Sequence, residues 1–195
     1  MARVYLNYSR RTFEHHRAIT SPEEGPGVFL TVVGVPAQRL AGLRVRGFVE
    51  IRCDTATRIP SIRSATLGEP MRVHGIDVPA NSTLTWYGPD EGGQIATVAL
   101  AGPMRLRDLW LPTKGYLDFS PSGALLQIRS YDYDRVGVEG YSCASGYSEG
   151  PEFHANGRLA RCQLEKMATI AGLQVDRGSV LRFRVDGSVL SVDRP

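Results

Sequence analysis

Lysine is almost missing from this chain. Of its 23 basic residues only Lys114 and Lys166 are lysines, and the rest are arginines. Arginine enrichment suits bidentate pairing with phosphate. It is also what a GC-rich coding sequence produces everywhere. Twenty carboxylates leave a net charge of only +3, and no dense basic run occurs. Nucleic acid is therefore not the expected partner. Long apolar runs are missing too, so no membrane-spanning helix is expected. The first residues, MARVYLNYSRRTFEHHRAITSPEEGPG, contain no apolar core of a secretory signal. As written the chain reads as cytoplasmic, and as exported if a signal has been removed.

Cysteine is scarce: Cys53, Cys143 and Cys162, with no C-x-x-C. That excludes a zinc ribbon and a thioredoxin-type redox motif. The short catalytic signatures are absent as well: no G-x-S-x-G, H-E-x-x-H, P-loop or G-x-G-x-x-G. Ser142 in Gly140-Tyr141-Ser142-Cys143-Ala144 lacks the closing glycine of a nucleophile elbow. His15 and His16 are neighbours, which on a helix point about 100° apart and so do not share an ion. His74 and His154 read as surface residues. No metal and no cofactor is expected, and the balance leans away from an enzyme.

What the chain does have is internal repetition. Trp86, Phe119, Phe153 and Phe183 anchor an alignment. Leu67, Leu100 and Leu164 each stand nineteen residues before one of these aromatics. Met71, Val73, Ile76, Val78 and Leu84 recur as Met104, Leu106, Leu109, Leu111 and Leu117. They recur again as Ala168, Ile170, Leu173, Val175 and Leu181. A period of about 30–34 residues implies one structural unit copied and stacked, each burying its face on the next. The expected fold is all-β, with about four such units, as a β-solenoid or an extended hairpin-repeat sheet. Residues 1–27 are set apart as a tail or cap, and residues 28–195 as the β-repeat domain, with clear copies from about residue 62.

Strand periodicity supports this division. Val28–Val35 is a β-branched run, and Arg44–Arg52 alternates polar with apolar. Only Arg10–Ile19 has helical spacing. Turn signals such as Asn156-Gly157 and Asp186-Gly187 follow the aromatics. In this alignment Cys143 takes the offset of Ile76, Leu109 and Leu173, and Cys162 that of Val98. Both cysteines then read as small core residues, reduced in a cytoplasmic protein and able to pair in an exported one. The copy between Ser130 and Phe153 departs from the rule. It is four residues longer, and Gly140 falls where a strand aliphatic is expected.

The segment Phe153-His154-Ala155-Asn156-Gly157-Arg158-Leu159 resembles the F/Y-x-x-N-G-x-L unit of MORN-like proteins. These include variant-repeat antitoxin-like bacterial proteins. Phe119–Leu125 and Phe183–Val189 are looser copies. The resemblance spans roughly residues 60–195 and implies antiparallel hairpins with a scaffold or binding role. The departures are the length of the unit and the missing Y-x-G-x-W.

Two surfaces carry candidate chemistry. In the irregular copy, Asp132 and Asp134 alternate with Tyr131 and Tyr133. Side chains two apart on a strand share a face about 7 Å apart, which suits an acid pair acting on a polysaccharide. The second surface is a strip of outward residues: Arg72, Arg105, Arg107 and Trp110, with Tyr87 and Tyr116 on the same phase. An exposed indole between Leu109 and Leu111 marks a contact. The reading that follows is a non-enzymatic binding module facing a protein or cell-envelope partner, with self-association possible. A polysaccharide-acting enzyme and an arginine-based polyanion binder are the alternatives.

Overall fold

The computed structural model describes residues 17–19, 27–40, 43–54, 60–87, 94–106, 109–111, 115–130, 135–146 and 150–195. Among these the fold is all-β. Twelve strands form one antiparallel sheet: β1 (Arg17–Ile19), β2 (Gly27–Leu40), β3 (Leu43–Asp54), β4 (Pro60–Leu67), then β7 (Thr83–Trp86), β8 (Ile95–Ala99), β11 (Gly115–Phe119), β12 (Leu125–Ser130), β15 (Glu152–Phe153), β16 (Leu159–Gln163), β19 (Val180–Phe183) and β20 (Val189–Asp193). Each strand pairs with its sequence neighbour in the sheet, and no barrel closes. The helix expected over Arg10–Ile19 is corrected where it is described. Arg17–Ile19 is a strand paired with Thr31–Phe29, so pairing with a long β-branched strand overrides a weak helical spacing.

Between successive sheet hairpins the chain leaves the sheet and makes a small hairpin. These are β5 (Met71–Val73) with β6 (Ile76–Val78), β9 (Met104–Leu106) with β10 (Leu109–Leu111), β13 (Arg135–Val138) with β14 (Tyr141–Ala144), and β17 (Ala168–Ile170) with β18 (Leu173–Val175). Three of them turn on His74-Gly75, Glu139-Gly140 and Ala171-Gly172, every one of these residues at positive φ. Positive φ at both central positions is the twist that a two-residue hairpin needs, and glycine adopts it at no steric cost at the second position. Gly140 is thus a turn residue equivalent to Gly75 and Gly172, not a lost strand aliphatic.

The small hairpins lay their apolar sides on one face of the sheet. Val73, Val78, Leu106, Leu111, Val136 and Val138 pack with Leu84, Val98, Leu117, Phe119, Ile128 and Leu181 in one continuous core. A second cluster of Val45, Val49, Ile51 and Ala65 lies beneath the first strands, and Trp86 packs against both clusters. The opposite sheet face is polar. Arg129 Nη2 donates to Asp118 Oδ1 at 2.8 Å, Thr97 Oγ1 donates to the same oxygen at 2.9 Å, and Arg161 pairs with Glu152 at 3.0 Å.

Strand pairing corrects the expected register of the cysteines. Val136 faces Cys143 as Met71 faces Val78 and Met104 faces Leu111. Cys143 therefore corresponds to Val78 and Leu111, and Tyr141 to Ile76 and Leu109. Of the four residues expected to be equivalent and buried, Cys143 is buried, Ile76 and Leu109 are half-buried, and Leu173 is exposed. The slip arises because the extra residues of the irregular copy are divided. Val136 stands six residues after Ser130, where Met71 and Met104 stand four after Leu67 and Leu100. Phe153 stands ten after Cys143, where Trp86 and Phe119 stand eight after Val78 and Leu111. Cys143 and Cys162 are joined by a disulfide that ties β14 to β16 across the core.

Sheet hairpins are also tied at their tips. His154 and Asn156 bond to the Phe183 and Val185 carbonyls at 3.0 Å each, and the Tyr87 hydroxyl donates to the Phe119 carbonyl. At the last tip Ser188 donates through its hydroxyl and its backbone N–H to Asp186, at 2.7 and 2.8 Å. These bonds, the hydroxyl first, hold the Asp186 carboxyl below its usual pKa.

Candidate functional site

The small hairpins have an outer side, away from the core, and it is built by alternation. In β9 and β10 the core side holds Met104, Leu106 and Leu111, and the outer side holds Arg105 and Trp110. Register sets these two directly opposite each other. Opposed side chains on one face lie within about 4.5–5.5 Å at Cβ. Trp110 is 66% exposed. The corresponding outer pair of the preceding hairpin is Arg72 with Asp77, and of the following one Gly137 with Ser142. An indole therefore borders a neighbouring hairpin that is small at this level, and a Cβ added at Gly137 would meet nothing within 4 Å.

Arg72 sits at the matching place but is differently engaged. Its Nε donates to the Gly75 carbonyl at 3.2 Å and lies 4.0 Å from Asp77. Both side chains are exposed, so this ion pair contributes little. Arg107, Tyr131, Asp132, Tyr133 and Asp134 lie outside the described residues, as do His15 and His16. The structure thus joins Arg105 to Trp110 and aligns Arg72 with Arg105.

Other expected members of the strip are placed elsewhere. Tyr116 alternates with buried Leu117 and faces the polar side of the sheet, where the Arg129 guanidinium lies 5.3 Å from its ring. Tyr87 is half-buried and holds two hairpin tips together. His74 is exposed, as expected of a surface histidine, and its ring also lies 4.9 Å from that of Phe119, with Nε2 3.3 Å from the Ile95 carbonyl. His154, also expected at the surface, is half-buried at a tip bond.

A groove of about 1220 Å³ runs between the turns of the small hairpins and the tips of the sheet hairpins. Its floor includes Phe119, Phe153, Leu109 and Val138. Arg105, Arg135 and Lys166 line it, with Asp77 and Glu139. Glu139 also accepts the Leu159 backbone N–H at 3.1 Å and so spans the groove from turn to sheet. The sequence reading missed this groove. Its signal was present in the X-Gly dipeptides at 74–75 and 139–140, whose turns line it. Among the described residues no group of three or more His, Cys, Asp or Glu side chains converges to hold a metal. What the arrangement offers is an exposed aromatic and a cation beside an apolar, mixed-charge groove. Those are the parts of a recognition surface.

No protein-family model, curated protein or solved structure matches this chain.

Proposed function

We propose that the chain is a stack of four like β-units that acts as a non-enzymatic binding module. It presents the outer side of its small hairpins to a protein or cell-envelope partner. The observation that carries this reading is Trp110, 66% exposed and directly opposite Arg105. An indole left in water by the fold gains most from a partner that covers it. Four sheet-hairpin-plus-small-hairpin segments in succession support the stacked-unit reading, as do the matching two-residue turns. The MORN-like character is proposed on the same footing. The Phe153–Leu159 and Phe183–Val189 stretches both close as five-residue tips with the same bond pattern. The bonded cysteines support the exported alternative, since disulfides persist in oxidising compartments.

Trp110→Ala is expected to leave the fold intact and to weaken partner capture by about 2 kcal/mol, roughly 30-fold. The check uses wild type, Trp110→Ala and Arg105→Ala as baits on a cell-envelope extract of the native host, with a thermal melt of each. Trp86 is then the only tryptophan left in the alanine variant, so its emission reports the core. A species captured by wild type and lost from both variants, at unchanged melting temperature, supports the proposal. A collapsed melt with unchanged capture contradicts it. A steep fall of capture with salt would point instead to the arginines acting on a polyanion.

A further inference from the structure

The fourth unit exposes apolar positions that the first three bury. Val98, Ile128 and Cys162 occupy one core position of the sheet, each 0% exposed, yet Val192 at the same position is 37% exposed. Val73, Leu106 and Val138 are buried, and Ile170 is half-buried. Val78, Leu111 and Cys143 are fully buried, and Val175 is half-buried. Leu173 is 72% exposed where its counterparts Ile76, Leu109 and Tyr141 are half-buried. Val192 lies on β20, the last strand in the sheet order, and Ile170, Leu173 and Val175 lie on the last small hairpin, β17–β18. Strand β20 pairs only with β19 among the described strands, which leaves its other edge without a described partner. Val189–Asp193 holds no lysine and no proline, the usual guards of an open edge.

The edge also fits itself. Three of the unit-to-unit contacts inside the sheet pair three residues, a central core residue between two that face the other way, and the β12–β15 contact pairs one. Examples are Thr97-Val98-Ala99 with Asp118-Leu117-Tyr116, and Arg161-Cys162-Gln163 with Arg182-Leu181-Val180. The matching trio on β20 is Ser191-Val192-Asp193. Antiparallel pairing of this trio with its own copy, centred on Val192, sets Asp193 opposite Ser191 and never opposite Asp193. A hydroxyl then faces each carboxylate, and like charges are kept apart. The two-fold axis of such a pair stands perpendicular to the sheet, so both copies keep their small hairpins on the same side. Leu173, Ile170 and Val175 of one copy then approach those of the other, as a two-fold contact requires.

We propose that this end face is the interface of a homodimer, with β20 pairing antiparallel to β20 of a second copy about Val192. The proposal rests on the unit equivalence set out above and is independent of the Trp110 face. Sedimentation equilibrium of the full chain should give twice the 21.4 kDa of one chain. Val192→Asp and Leu173→Asp should each halve that mass with little change in far-ultraviolet circular dichroism. Val192→Cys should cross-link two copies on mild oxidation, and Trp110→Ala should remain dimeric. A wild-type chain that stays monomeric at its highest soluble concentration would overturn the proposal. So would a dimer that survives Val192→Asp, or one that Trp110→Ala dissolves. Open-ended growth into larger oligomers would also overturn it, since it would show head-to-tail contact in place of the two-fold.

Discussion

Gly150→Ala is expected to lower the melting temperature by roughly 5–15 °C, about 2–4 kcal/mol of stability. Gly150 is buried just before β15, where the chain of the irregular copy re-enters the sheet. A Cβ there would lie 1.9 Å from the Ile128 carbonyl oxygen and 3.0 Å from its carbon. Both are backbone atoms of β12, so no side chain can swing aside to make room. Either the strand moves or the bond from the Ile128 N–H to the Pro151 carbonyl, 3.1 Å long, is lost. Ile128 is itself 0% exposed and packs in the main core. Movement there is an overpacking defect at the centre of the molecule. Gly137→Ala is the control. It lies in the same copy, exposed, with open space around its Cβ position, and should shift stability by no more than about 0.5 kcal/mol. Differential scanning calorimetry of the two variants checks the contrast. Equal effects would show that the β12–β15 approach is not close.

Removing the Cys143–Cys162 bridge is the second large effect. The two cysteines are nineteen residues apart in sequence, and both are 0% exposed. A cross-link over a loop of that size stabilises by about 3 kcal/mol through the unfolded chain. The double variant Cys143→Ala, Cys162→Ala also leaves a void in the core, so its loss should exceed that figure. The chain itself supplies a better-packed comparison. Val78 and Val98 occupy the corresponding positions of the first unit without a bridge. Cys143→Val with Cys162→Val should therefore recover part of the loss, isolating the cross-link from the packing. Denaturant melts of the three proteins measure it. Under denaturing, non-reducing conditions the wild type should label at one thiol, Cys53, and at three after reduction. Labelling at three sites without reductant would contradict the bridge.

Much of the fold was legible in the sequence because both layers alternate with period two. Met71-Arg72-Val73 and Met104-Arg105-Leu106 announce which residues face the core, and Trp110 between two leucines announces the exposed indole. What was not legible depends on pairing between distant strands. The alignment counted back from the aromatics, so two residues inserted on each side of the third small hairpin moved Cys143 one strand repeat out of place. The turn dipeptide Glu139-Gly140 was the local signal that could have fixed it, since its partners His74-Gly75 and Ala171-Gly172 are plain in the sequence. The roles of Tyr87, His74 and His154 were hidden for a different reason. They are polar residues on an outward phase whose partners belong to the next hairpin, up to 32 residues away. Gly150 gave no signal at all, because a close backbone approach leaves no pattern in one sequence.

The central claim is that the small-hairpin side of the stack, and not the polar side of the sheet, meets the partner. Site-specific photocrosslinking in cells of the native host tests it most directly. A photoreactive residue is placed at Thr169 or Ser142 on the hairpin side, or at Gln127 or Arg182 on the sheet side. The account predicts a crosslinked species from Ser142, on the outer side of the hairpin that follows the one bearing Trp110, and none from Gln127 or Arg182. Crosslinks from the sheet positions alone, or from none of the four, would contradict it.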